Sequence, residues 1–352
     1  MFVYFLLLVF LFVAHQFWWR RWNLPPGPIP LPLVGNLLAL KNAPRWEDVL
    51  LKWKQTYGPI YAFWTAGRPS LAVASFDAAH RLFVQQGDAF VDRGMPESAL
   101  KLTRGGPFGI VFNSGDLWRE QRRFALSTLR NFGLGKNQMQ ERILDEVRYL
   151  IDHLDEEIAN QTDEINVIKH TDLTVGSVLN SVLCGYRFTT NNREHEFVDI
   201  KEKTVNFFAS LGEPLFQISM NYKFLLNIPW FQRNFDRKMW PQREIFRFIE
   251  GIIEEHERST DYEEEFEPRD FIDAYLLEQT KKERSGEAHG FSFVFGQCLG
   301  ESLARMSLFL FIANLLNRYE FAAGKEPPTQ QKAFSGMSIA CKPFTCRATK
   351  RY

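Results

Sequence analysis

Apolar residues run almost without a break from Met1 to Phe12, His15 and Gln16 interrupt them, and Trp18 and Trp19 lead into Arg20 and Arg21. A block of about 20 residues of this kind lies near the short end of what crosses a bilayer. It predicts a transmembrane signal anchor over residues 1–22. Basic residues follow the block and none precedes it, so the expected orientation leaves the body in the cytosol. A cleaved signal peptide, the alternative, asks for a basic start and an A-x-A-like site, and neither is present. Residues 23–36 then bring Pro25, Pro26, Pro28, Pro30 and Pro32, which cannot support a helix and favour stiff, extended chain. That segment reads as a Pro-rich linker holding the body at a fixed angle to the anchor.

Beyond residue 36 the period changes to that of helices. An amphipathic helix is predicted to end at Gly58, followed by a hairpin over 60–75 with its turn at Gly67-Arg68-Pro69. Helical spacing then recurs over 77–86, 116–129, 138–159, 171–184, 197–211, 239–257 and 268–281, and in a last apolar helix over 299–318. The Glu-dense run at 258–269 reads as a solvated loop. No internal repeat or low-complexity tract interrupts the pattern. The expectation is a mainly α body with a small β-sheet, forming a single domain over 37–352.

Composition narrows the function classes only slightly. Forty-two basic and 42 acidic residues cancel, which leaves no electrostatic footprint for nucleic acid. Thirty-three Phe and nine Trp fit a large aromatic core or a wall around a flat apolar ligand. The four cysteines, Cys184, Cys298, Cys341 and Cys346, read as free thiols in a cytosolic body. No His clusters near the Cys341/Cys346 pair, so a zinc site is not expected there.

Candidate chemistry concentrates in two places. The first is FSFVFGQCLGESLAR, residues 291–305, which sets Cys298 on a glycine-flanked turn before an apolar helix. First-turn amides and the helix dipole favour a thiolate there, and Gly300 lets a flat ligand approach the backbone. These are the requirements of an axial sulfur ligand to haem iron. The second is DLWREQRRF, residues 116–124, in which Trp118 and Arg122 share a helix face at i, i+4. An indole N–H beside a guanidinium suits a haem propionate. Alone, the pair reads first as a basic surface helix with one Trp dipping into the core.

The first segment resembles the haem-binding signature of cytochromes P-450, with Phe291, Cys298, Gly300, Glu301, Ala304 and Arg305 in register. Trp118 and Arg122 resemble that family's propionate-binding helix, RNFGLGK at 130–136 its continuation, and PPGP after an apolar anchor its microsomal members. The resemblance implies a haem-thiolate monooxygenase of the animal drug- and lipid-oxidising type, an oxidoreductase of the endoplasmic reticulum membrane. Haem b would be the cofactor, with Cys298 as its iron (metal) ligand and Trp118, Arg122 and Gly300 binding the group. An NADPH-dependent reductase would supply electrons, an apolar small molecule would be the substrate, and the lipid bilayer would hold the anchor. Phe108, Phe112, Phe207, Phe208 and Phe216 fall where the family roofs its substrate cavity, but as single aromatics they read first as plain core.

The chain also departs from that pattern. Val294 and Gly296 stand where the family has Gly and Arg. No AGxxT-type motif occurs, and ExxR appears only as Glu120–Arg123, Glu244–Arg247 and Glu255–Arg258, all upstream of the family's position. An internal deletion near 290–296 accounts for both departures and makes the P-450-like fold incomplete. A catalytically inactive, membrane-tethered variant is therefore the second expectation.

Overall fold

The computed structural model describes residues 2–17, 19–43, 46–95, 97–106, 108–133, 137–160, 164–264, 266–287, 291, 301–328, 332–335, 338–342 and 344–351. The helices in chain order are α1 (Phe2–Phe17), α2 (Leu37–Lys41), α3 (Trp46–Tyr57), α4 (Phe76–Ala79), α5 (Glu97–Arg104), α6 (Gly115–Asn131), α7 (Asn137–Ala159), α8 (Val167–Leu183), α9 (Glu194–Leu211), α10 (Pro214–Asn221), α11 (Pro229–Ser259), α12 (Phe271–Ser285) and α13 (Glu301–Arg318). Six short strands form three two-stranded sheets: β1 (Ile60–Thr65) with β2 (Arg68–Val73), β3 (Tyr319–Ala323) with β6 (Cys346–Lys350), and β4 (Lys332–Ser335) with β5 (Ser338–Cys341). The mainly helical expectation holds. Two compact units result, one of Met1–Gly106, Phe207–Trp240 and Phe334–Ser338, the other of Pro107–Asn206, Pro241–Ala333 and Ile339–Tyr352.

The first unit starts at α1. The segment expected to span a membrane is a helix of 16 residues. At 1.5 Å per residue that is about 24 Å, short of the ~30 Å hydrocarbon core. Among the described residues no helix is long and apolar enough to cross a membrane. A single-turn 3-10 helix, Trp19–Arg21, follows it. There Arg20 donates to the Gly67 carbonyl and lies 4.0 Å from the Trp64 ring centroid. The Pro-rich segment is fastened along β1: the Ala62 amide donates to Pro26 O at 3.1 Å, and Trp64 N to Asn36 Oδ1 at 2.8 Å. Gly27 sits in this seam because a Cβ there would fall 1.7 Å from the Ala62 carbonyl oxygen. The hairpin turn lies one residue earlier than expected. Thr65 pairs with Arg68, so Ala66-Gly67 turns the chain and Pro69 lies in β2 opposite Trp64.

The second unit is built on α7. Met139, Ile143, Val147, Leu150 and Leu154 recur every three or four residues and are fully buried. They pack with Val178 and Val182 of α8 and with Leu303, Leu310, Phe311 and Leu315 of α13. A polar clasp closes the end of α13. Asp155 accepts from Tyr319 Oη and Arg318 Nη2, each at 2.6 Å, and lies 3.0 Å from Lys350 Nζ. A smaller cluster joins Ile252 and Ile253 of α11 to Ile272 and Leu276 of α12.

Candidate functional site

Helix α6 begins at Gly115, whose positive φ of 74° suits a residue without a side chain. Gln121, Ala125 and Thr128 form its buried face. That periodicity leaves Trp118 half-buried and Arg122 exposed on the flank. The structure brings the two together as the spacing predicts, with the Arg122 guanidinium 5.4 Å from the Trp118 ring centroid. Such a contact contributes about 0.5–1 kcal/mol at an exposed site and presents the cation's donors outward. Gln121, inside the same helix, keeps an amide nitrogen with no acceptor among the described residues.

The helix is held from below by α12. Glu120 accepts from Lys282 Nζ at 2.5 Å, and this hydrogen bond raises the lysine's proton affinity above its ordinary value. Phe124 lies edge-on to Phe271 and Tyr275, each 5.8 Å away between ring centroids. Phe291 completes the group, 5.0 Å from Phe124 and 4.9 Å from Tyr275. It is 4% exposed. The first residue of the Cys298 segment is thus seated on the helix that carries Trp118 and Arg122. Cys298 and Gly300, with Val294 and Gly296, lie outside the described residues.

The other sequence candidates separate cleanly. None of the three ExxR patterns forms a buried Glu–Arg lock. Glu120 bonds Lys282, Arg247 bonds Glu244 as an exposed i, i+3 pair, and Arg258 bonds Glu254. Cys184 and Cys346 are free thiols, as expected. Burial pushes the Cys184 thiol up to about 12, with the Asp270 charge adding to it, so it is an inert side chain at neutral pH.

One cluster was not anticipated. His256, Asp270 and Asp273 are buried with ligand-type atoms within 4.8 Å of one another. Their ligand-type atoms are already hydrogen-bonded within the protein. Asp270 caps α12 by accepting from Asp273 N at 3.0 Å and binds His256 Nε2 at 2.8 Å. Burial pushes the Asp273 carboxyl up, but hydrogen bonds from Arg269 and Tyr262 outweigh it and hold the group below the usual carboxylate range. A cation would have to displace that guanidinium, so the cluster is a structural lock between α11 and α12. Its only trace in the sequence is Asp270 before an apolar run, a helix-start signal.

Comparison with known proteins bears on the same segments. The family model described as Cytochrome P450 matches residues 25–294 and, as a second piece, 285–346. Cytochrome P450 2B4 of Oryctolagus cuniculus is 32% identical over 286 residues, covering 80% of this chain and 55% of the relative. Cytochrome P450 2C23 of Rattus norvegicus is 31% identical over 272 residues, covering 76% and 52%. Cytochrome P450 2C39 of Mus musculus is 30% identical over 267 residues, covering 74% and 51%. The chain spans about half the length of the curated relatives it matches.

Proposed function

We propose, from the premise that this chain belongs to the cytochrome P450 family, that α6 and the Cys298 segment are the two halves of a haem-thiolate monooxygenase site. Haem b is the cofactor the family implies. The observation that carries the reading is the seating of Phe291 on α6, two residues along from an Arg122 guanidinium stacked over Trp118. Arg122 offers a planar fork of N–H donors and Trp118 a single indole N–H, a donor set that fits carboxylates and therefore propionates. Cys298 stands three residues before the start of α13, where the helix N-terminus favours the thiolate. When bound, the haem supplies one-electron and oxygen chemistry that no side chain provides. Electrons from an NADPH-dependent reductase, an apolar small-molecule substrate and an endoplasmic reticulum location complete the proposal. Residues 1–22 would hold the body, over 37–352, to the membrane through the linker at 23–36. The apolar α1 and the exposed Trp19 and Trp22 support that attachment, and the thinner reticulum bilayer, about 27 Å, narrows the mismatch in length.

A second reading, a membrane-tethered chain without turnover, is favoured by the half-length match to the relatives and by the absence of an AGxxT-type motif. A carbon monoxide difference spectrum of the reduced, membrane-expressed protein separates the two. The first reading expects a red-shifted, thiolate-type Soret band that Cys298→Ala abolishes. Arg122→Ala should weaken haem retention about tenfold, the effect of losing one charge-assisted hydrogen bond of about 1.5 kcal/mol. A colourless protein, present in full amount, establishes the second reading.

A further inference from the structure

Helix α13 is apolar on both sides, yet only one side is covered. Leu303, Leu310, Phe311 and Leu315 face the α7 core, while on the opposite side Leu308 is 61% exposed, Phe309 71%, Ile312 52% and Leu316 53%. A helix hydrophobic all round belongs in an interior, and four large contiguous side chains in water mark a surface that takes a partner.

We propose that this face pairs with the same face of a second copy of this chain, antiparallel, with Ile312 on the two-fold axis. Three features select that occupant. Leu308, Ile312 and Leu316 repeat every four residues, so the row is palindromic about Ile312. In an antiparallel pair Leu308 of one copy meets Leu316 of the other, and Ile312 meets itself, which is the self-complementarity a two-fold interface demands. Charge follows the same symmetry. Exposed Arg305 near the start of the helix comes level with the first residues of β3 in the other copy, beside exposed Glu320. The antiparallel arrangement also brings each helix's negative C-terminal end to the other's Arg305. A parallel pair would instead set Arg305 against Arg305. The inference does not depend on haem and stands or falls apart from the reading of Cys298.

A single helix face is smaller than a standard-size interface, so the association is weak and is best read by covalent trapping. The full chain in detergent micelles, carrying Ile312→Cys, is oxidised mildly and resolved without reductant. A disulfide-linked dimer is expected, at several times the yield from the unsubstituted chain and from Val198→Cys, an equally exposed apolar position on α9. Leu308→Cys and Leu316→Cys proteins should cross-link in mixture and poorly alone. In the Ile312→Cys background, Arg305→Glu should reduce the dimer several-fold, and Arg305→Glu with Glu320→Arg should restore it. The substituted positions lie outside the core, and unchanged far-UV circular dichroism verifies that each variant folds. Equal cross-linking from Ile312→Cys and Val198→Cys, monomer only because detergent or lipid covers the face, or no rescue by the charge exchange would each overturn the proposal.

Discussion

His256 carries a pH dependence that can be worked out from its contacts. Its Nε2 meets Asp270 Oδ2 at 2.8 Å, its Nδ1 meets the Ile252 carbonyl oxygen at 2.8 Å, and its side chain is 10% exposed. The bond to Asp270 raises the imidazole's proton affinity, burial opposes it, and the raising contributions win. A group whose folded value lies above its unfolded one, about 6.5 for His, stabilises fully below the unfolded value. That stabilisation is lost as pH rises through the folded value. The urea midpoint should therefore fall as pH is raised above about 6.5, and His256→Asn should remove that part of the slope. A midpoint that rises over the same range would refute the assignment. Asp270 is more expensive to lose, because it both caps α12 and pairs with the histidine. Asp270→Ala should destabilise by about 2–3 kcal/mol, cap and orphaned partner together. Trp118 and Arg122 were legible from sequence because an i, i+4 pair lies on one helix face wherever the helix goes. The contacts of Lys282 and Phe291 with α6 were not, because they join positions far apart in the chain.

Elements with a clear amphipathic period, such as α3, α6 and α7, match their predicted positions closely. Those set by capping or by tertiary contact do not. Asn166 accepts from Lys169 N and starts α8 at Val167, ahead of the apolar period that suggested 171. Helix α11 contains Pro241 in its interior, where the sequence reading placed the start of a helix only at 239. A proline removes one intrahelical donor and clashes with the preceding turn. Burial of Phe235 and Met239 before it, and of Ile252 and Ile253 after it, offsets that penalty. Helix α13 gives a within-helix test of burial. Phe311→Ala should cost about 3–5 kcal/mol, because it empties space against α7. Phe309→Ala, two residues away and 71% exposed, should change stability by less than about 0.5 kcal/mol. Similar losses at both positions, measured by urea unfolding, would mean that α13 is rotated from the orientation described. The Pro-rich seam makes a parallel case. Gly27→Ala must push back the Ala62 carbonyl and should be strongly destabilising, whereas Gly87→Ala, with nothing within 4 Å of its added methyl, should be tolerated.

Across the whole molecule, charge and apolar exposure act together. The match covers only about half of each relative, and the two pieces of the family match overlap over 285–294, where the chain passes from α12 to the Cys298 segment. Helix α13 keeps an apolar face in solvent. Forty-two basic residues balance 42 acidic ones, so no net repulsion holds copies apart at pH 7. Self-association should therefore be strongest near neutrality. Light scattering of the full chain in dilute detergent should peak near pH 7 and fall on either side, as net charge of either sign accumulates. Added salt should not dissolve the associated material at pH 7, because apolar burial is not screened as exposed charge pairs are. Ile312→Lys separates the two contributions. It places a charge in the centre of the apolar row while adding only one unit of net charge. Scattering should drop at every pH if the α13 face drives association, and the curve should merely shift along the pH axis if net charge alone does.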